Sequence, residues 1–462
     1  MYRDAFRRVF VLSLLILAIL MPVLFSGYAE LGKAPGADSY VELAEHYARA
    51  AQRIPWRGDL YELAGHAYYH AKEYALADDV YQKAFERDRL SPEGWVAWGD
   101  VNYLRADPER AAGIWKQGLE QPGPSGQLYE RLAQVLEENG EYHRAAEFLQ
   151  KYVSGHQEDA AARFRLGLLL TVSDQDKALP ELTSAAQLDP QLDPAVQILR
   201  TALNLASLNG SASERFVITG RGLGLVGEWP LARVAFQEAI LADGKNAEAW
   251  AWLGEANQQL ELPEGGSAEL DRALRLDPDS PTVRGLRGLH FQRSSNFREA
   301  LKEFQAAARL EPDNPAWQVS VGEAHAKLGD LIRALEAYQA ATSLAPGEAS
   351  YWRLLAIFCA QNQINIEDIG VPAAQKAVVL ADEDASSLDI LGWLLVLDAR
   401  HEEAEQVLNR ALAIDPQHAS AHVHLGMLYL QQENRAFAYA HLIKARDLGN
   451  EEAKGLLDQF FR

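Results

Sequence analysis

Few side chains in this chain stand at spacings that chemistry requires. Gly222-Leu223-Gly224-Leu225-Val226-Gly227 matches G-x-G-x-x-G, the turn that brings a backbone close to a pyrophosphate, and Phe216–Thr219 before it could be read as the preceding strand. His66 and His70 are four apart, and so are His418 and His422, with His424 close by. At that spacing two imidazoles share one helical face and could hold a metal. No cysteine lies near His418 and His422 in the sequence, the nearby Asp415 reads as turn chemistry beside Pro416, and His66 and His70 read rather as a polar groove lining. The single cysteine, Cys359, can form no intramolecular disulfide and reads as a small core hydrophobe. No serine–histidine–aspartate order, nucleophile elbow, phosphate loop, zinc-protease helix or C-x-x-C pair occurs. The residues therefore predict no catalytic group, no cofactor and no metal, and a chain that is not an enzyme.

The elements that would position such residues are set by a period. A small residue recurs every 34 positions: Gly65, Gly99, Ala133 and Gly167, then Gly220, Gly254, Gly288, Gly322 and Ala356, then Gly392 and Gly426. Four residues before it stand Tyr61, Trp95, Tyr129, Phe216, Trp250 and Trp352. Twelve after it come Ala77, Ala111, Ala145, Ala232, Ala300, Ala334, Ala404 and Ala438, and sixteen after it Tyr81, Trp115, Phe236, Phe304 and Tyr338. Pro278, Pro312, Pro346 and Pro416 follow at 24. Large and small residues at this spacing build one apolar helical face, small residues let two helices approach closely, and the proline ends the second helix. A fixed period of this length marks stacked helical repeats. The same register absorbs Gly220 and Gly227, which argues against the nucleotide reading.

This pattern resembles the tetratricopeptide repeat family over about residues 37–450, in eleven full repeats. The resemblance implies an all-α fold, a right-handed α-solenoid of helix-turn-helix repeats, that binds protein partners. In that family the first helix of each repeat lines the concave groove. Mapped here, the early repeats place Asp59, Glu62, His66, Tyr69, His70, Glu93, Asp100, Tyr103, Glu130, Gln134, Glu137 and Glu138 in the groove, an acidic lining with aromatics. Such a lining suits a basic or amphipathic segment of a partner. The late repeats place Ile357, Trp393, Val396, Leu397, Val423, Met427 and Leu430 there, an apolar stripe. The lysine and asparagine with which relatives clamp chaperone C-termini are missing: the matching positions carry Glu62 and His66, or Val96 and Asp100.

Composition and the N-terminus bound the function further. A formal net charge of −21 disfavours nucleic acid. Residues 9–25 read VFVLSLLILAILMPVLF, an apolar run preceded by Arg3, Arg7 and Arg8. It reads either as one retained N-terminal transmembrane helix or as a signal segment cleaved at Gly27-x-Ala29. By the positive-inside rule both place the repeats on the extracytoplasmic side. The expected layout is an anchor or signal segment at 1–28, a flexible tether at 29–37, a first array at 38–192, an extra helix and joint at 193–210, a second array at 211–450 and a capping helix at 451–462. The extra helix follows from the 53-residue gap between Gly167 and Gly220, which exceeds the period by 19. The function expected is a membrane-tethered, extracytoplasmic scaffold for an envelope complex. The alternative is a scaffold of exopolysaccharide synthesis or export that contacts sugar through its tryptophans.

Overall fold

The computed structural model describes residues 2–262, 265–382 and 384–461, and the side chains of residues 2–9, with Arg3, Arg7 and Arg8, lie outside the description. Among the described residues the chain is all helix, with 26 α-helices and no strand. It divides into two units, Met1–Gly210 with Ile218–Ala235, and Ser211–Val217 with Phe236–Arg462.

Each repeat is a helical pair whose ends are written in the sequence. Side-chain caps open the first helices: Ser91 Oγ accepts from the Gly94 amide at 3.0 Å, and Asn246 accepts from Ala249 at 3.1 Å. Pro92, Pro281 and Pro315 sit at the first helical position, where no amide proton is needed. The second helices end at Leu276, Leu310, Leu344 and Ile414, each two residues before the periodic proline. Between the two helices, seven residues after the small residue, the backbone turns left-handed. Gly140, Gly227 and Gly329 serve there, and so do Lys72, Ala106, Ser295 and Ala399 at φ near +60°.

The periodic glycines are where the paired helices touch. A Cβ on Gly65 would lie 2.6 Å from the Tyr81 ring, one on Gly99 1.9 Å from Trp115 Nε1, and one on Gly288 2.4 Å from Phe304. Tyr81, Trp115 and Phe304 are wholly buried by this contact. Gly392 and Gly426 repeat it against Leu408 and Leu442. The glycines at 220–227 do the same kind of work: residues 216–219 are helical, Gly222 abuts Ala202, and Gly224 abuts the Trp229 ring.

Three boundaries differ from expectation. Residues 29–37 are not a flexible tether: one helix, Tyr2–Lys33, runs through them into a short turn, Ala34–Gly36. Its end packs antiparallel on Tyr40–Arg53 because Gly27 lacks a side chain, so Ile54 and Arg53 fit against it, and because Glu30 binds His46 at 2.8 Å. The added helix is Asp193–Ser207, but the division between units falls inside the next helix, Ala212–Leu225. Ser213 donates to the Ala239 carbonyl at 2.8 Å and holds the first turn to the second unit. Gln175 donates to Thr219 at 3.2 Å, and with the Gly222–Ala202 contact holds the remainder to the first. The final helix, Glu451–Phe460, packs Leu456, Leu457 and Phe461 on the last repeat but leaves Phe460 exposed.

Urea unfolding tests the close contact. Gly99→Ala should lose about 2–3 kcal/mol through overpacking against Trp115. Gly113→Ala, at an exposed helical site where a Cβ meets nothing, should gain about 0.5–1 kcal/mol. Ala106→Gly, at a left-handed position, should also gain, by roughly 1 kcal/mol.

Candidate protein-binding groove

In the first unit the predicted groove residues form one lattice that crosses from repeat to repeat. Glu62, on Asp59–His70, accepts from the Ser91 amide at 2.7 Å and from the Ser91 hydroxyl. It thereby ties one repeat to the N-cap of the next. Tyr81 donates to His66 Nδ1 at 2.8 Å, and His66 Nε2 faces Glu62 at 3.4 Å. Burial works to raise the Glu62 carboxyl, but hydrogen bonds from His66 and Ser91 outweigh it and hold the group below its ordinary value. His70 turns instead to the Tyr40 ring at 5.3 Å, so His66 and His70 do not converge.

Further along, Arg131 bonds Asp100 at 2.9 Å and reaches Glu130 at 3.4 Å. Arg165 spans Glu137 at 2.6 Å and Glu228 at 2.9 Å. Tyr103 donates to Glu138, and Gln134 donates to Tyr103 at 3.2 Å. Tyr69 lies against Tyr74, its ring 6.2 Å away. Burial pushes the Asp100 and Glu137 carboxyls above their ordinary values, and the arginines pull them only part of the way back. The lining is thus less acidic than the sequence alone implies, because Asp100 and Glu137 already have cations. What remains open is a cleft of about 350 Å³ lined by Glu130, Gln134, Glu137, Asp159 and Arg165 over an apolar floor of Ala133, Leu149 and Ala162.

Arg131 and Arg165 were not among the expected groove residues. The signal was present, since they lie 34 apart, two before the small residue of their repeats. Asp78 is a second such case: buried, it accepts from Trp98 at 2.8 Å, Asn102 at 3.0 Å and Arg110 at 3.0 Å, and locks two repeats.

In the second unit the apolar stripe is partly core. Val396 and Val423 are 1% and 0% exposed and belong to the packing of their repeats. Ile357, Trp393, Leu397, Met427 and Leu430 are half-buried. Trp393 stacks on His424 with ring centroids 5.0 Å apart, and His424 holds Asp389 at 2.7 Å. His418 caps its helix by accepting from the Ala421 amide at 3.3 Å, whereas His422 turns to His441 at 2.9 Å. Those two histidines therefore do not form a shared site. Burial keeps His422 and His441 below the usual histidine range. Among the described residues no three His, Cys, Asp or Glu side chains converge as a metal needs. A separate cleft of about 500 Å³, unforeseen in the sequence, is lined by Gln292, Glu323, Lys327, Gln361 and Asn362 beside Tyr338 and Phe358. Cys359 is buried, with its thiol pushed up to about 11 by that burial.

Five of the ten tryptophans are committed within the chain. Trp98, Trp115, Trp250, Trp317 and Trp352 donate their indole N–H to Asp78, Val96, Gly244, Glu311 and Pro346. These five indoles are tied to structural partners, which weakens the case for sugar contact through them.

Helical pairs stacked at a constant period, with a groove and no convergent reactive groups among the described residues, define a repeat scaffold. Family models described as tetratricopeptide repeat match residues 96–158, 223–281 and 286–349, and again 385–418. The chain carries tetratricopeptide repeats over these residues, and repeats of this kind serve in general as scaffolds for protein–protein interaction. No curated protein matches it. Among solved structures it is similar to the APC/C hetero-tetramer Cut9-Hcn1, at 14% identity and a TM-score of 0.46 over 98% of each chain. It is also similar to yeast Tom70, at 15% identity and a TM-score of 0.41 over 96% of this chain and 95% of that one. For pilF of Pseudomonas aeruginosa the values are 17% and 0.37, over 54% of this chain and 97% of that one.

The Asp100–Arg131 pair gives a pH-dependent test. Arg131 is about a third exposed, so Arg131→Met should cost about 2 kcal/mol at pH 7, less than a fully buried broken pair. Without the cation the folded-state pKa of Asp100 rises further above its unfolded value. That contribution is favourable below the unfolded pKa of about 4 and is lost as pH rises through the folded one. The difference between variant and parent in urea titrations should therefore shrink towards pH 4. An equal difference at both pH values would contradict the pairing.

Proposed function

We propose that this chain is a membrane-tethered scaffold whose repeats lie on the extracytoplasmic side and help assemble or organise an envelope complex. It seats a basic or amphipathic segment of a protein partner in the groove of the first unit. The observation that carries the tether is the N-terminal helix. Phe10–Gly36 is long and apolar enough to cross a membrane, and Phe10, Leu12, Leu17, Ile19 and Phe25 are exposed along it. Buried in a soluble core, such side chains would be covered; their exposure along this helix supports a bilayer around it. Gly27, in the cleavage motif, is itself buried against the first repeat, which supports retention of the helix over its removal. Arg3, Arg7 and Arg8 support an N-terminus in the cytoplasm.

The partner half of the reading rests on the cleft at Glu130, Gln134 and Glu137. It is roomy enough for side chains, has an apolar floor, and keeps acidic and amide groups at its mouth. A helix or strand with a basic residue beside an apolar one matches both features.

Two measurements test this. The full chain should stay in membranes through carbonate washing, and protease should digest the repeats in spheroplasts without lysis. Release by carbonate, or protection until lysis, would contradict the tether or its orientation. In quantitative capture from detergent-solubilised membranes, Glu130→Arg with Gln134→Arg should weaken recovery of a specific partner about tenfold or more, an effect of hot-spot size. Glu109→Arg, on the exposed start of the second helix, should leave it unchanged.

A further inference from the structure

The turn that closes the first helical pair, residues 54–58, sits at the foot of the N-terminal helix. Tyr40–Arg53 runs back along that helix, so that Glu30 meets His46 at 2.8 Å, and the level of Gly27 is reached by Ile54. A Cβ at Gly27 would lie 2.7 Å from Ile54 Cγ1. Gly27 is two residues beyond Phe25, the end of the apolar run, which is about 3 Å along a helix. The headgroup layer of a bilayer is roughly 5–8 Å deep on each side. The turn therefore lies within that layer whenever the helix spans.

Its side chains are of the kinds that this layer selects. Trp56 is 55% exposed, against 4%, 5% and 1% for Trp95, Trp98 and Trp115 in the following repeats. Among the described residues no side-chain hydrogen bond or ring contact holds it as Asp78 holds Trp98. Tyr28 is 49% exposed on the helix, and Arg57 is held by Asp59 at 2.8 Å. One carboxylate, Glu30, is shared among Lys33 at 3.1 Å, Arg49 at 3.9 Å, Arg53 at 3.6 Å and His46. Arg49 also pairs with Glu45 and Arg57 with Asp59, so the cations of this end are matched by carboxylates of the same repeat. Indole and phenol rings settle at the headgroup level.

We infer that residues 54–58 form a membrane-contacting foot, in which Trp56 enters the headgroup layer of the bilayer that the N-terminal helix crosses. This rests on the spanning role proposed for that helix and goes beyond it: the first repeat is mounted directly on the membrane surface instead of hanging from a linker. The occupant of the exposed face is lipid, because the turn adjoins the N-terminal helix at Gly27, next to the exposed Val23, Phe25 and Tyr28 that a bilayer would cover.

The test uses the full chain in nanodiscs of phosphatidylcholine and phosphatidylglycerol, 3:1. An environment-sensitive fluorophore is placed by Trp56→Cys, or by Pro55→Cys as a second reporter, with Ser154→Cys as the solvent-exposed control. Cys359 is buried, and background labelling is read on the parent chain. Quenching by lipid bearing a headgroup-level nitroxide should be at least about threefold stronger at positions 55 and 56 than at 154. If the chain stays in the disc and quenching at 55 and 56 equals that at 154, the foot is overturned and the spanning helix stands. If the chain leaves the disc, the spanning reading itself fails and the foot with it.

Discussion

A missing side chain facing a large one is the contact on which the rest of the structure depends. At Gly65, Gly99, Gly254, Gly288, Gly322, Gly392 and Gly426 the first helix presents no Cβ, and the residue sixteen further on fills the space. Gly99 against Trp115 is the tightest case, at 1.9 Å for the absent atom. Because the two helices meet there, the left-handed residue seven positions on has a fixed path to close, and the helical caps fall in register. Because every pair closes alike, each presents the same two faces to its neighbours, and the core passes from repeat to repeat without a centre. Stability in such a stack is a sum of local pairs and their interfaces.

Polar groups then join one repeat to the next and shape the surface that is left. Glu62 reaches the cap at Ser91, Asp78 gathers donors from the following pair, and Arg131 and Arg165 hold Asp100 and Glu137. These charges are partly withdrawn from water, so they cost desolvation and repay it only when paired. The surface left at these positions carries fewer free acids than its sequence contains, with a defined cleft beside the paired ones.

The repeat and its terminating prolines were legible in the sequence because each is set by residues within one period, and the N-caps, though equally local, came only with the structure. Asn246, Ser91 and the prolines at 278, 312, 346 and 416 act on backbone within a few positions of themselves. What escaped the sequence depends on which neighbour arrives. The tether at 29–37 reads as glycine, alanine and proline, yet Gly27 and Ala34 are buried against the first helical pair. Val396 and Val423 occupy groove positions by count and core positions in fact, since helix rotation decides which face they take. The arginines of the groove carried a visible 34-residue spacing, but their acidic partners belong to other repeats and no local rule names them. The joint shows the same limit: the number of added residues gave the extra helix, and only tertiary contacts show that the division falls inside the helix after it.

The account's central claim is that the groove of a membrane-held repeat array is where a protein partner sits. The most direct measurement is photo-crosslinking in intact cells, with a photoreactive amino acid at Gln134 on the cleft and at Glu109 on the exposed start of the second helix. The account predicts a discrete crosslinked protein from position 134 and none from 109, with the product recovered in the membrane fraction. The same products from both positions, or none from 134, would contradict it.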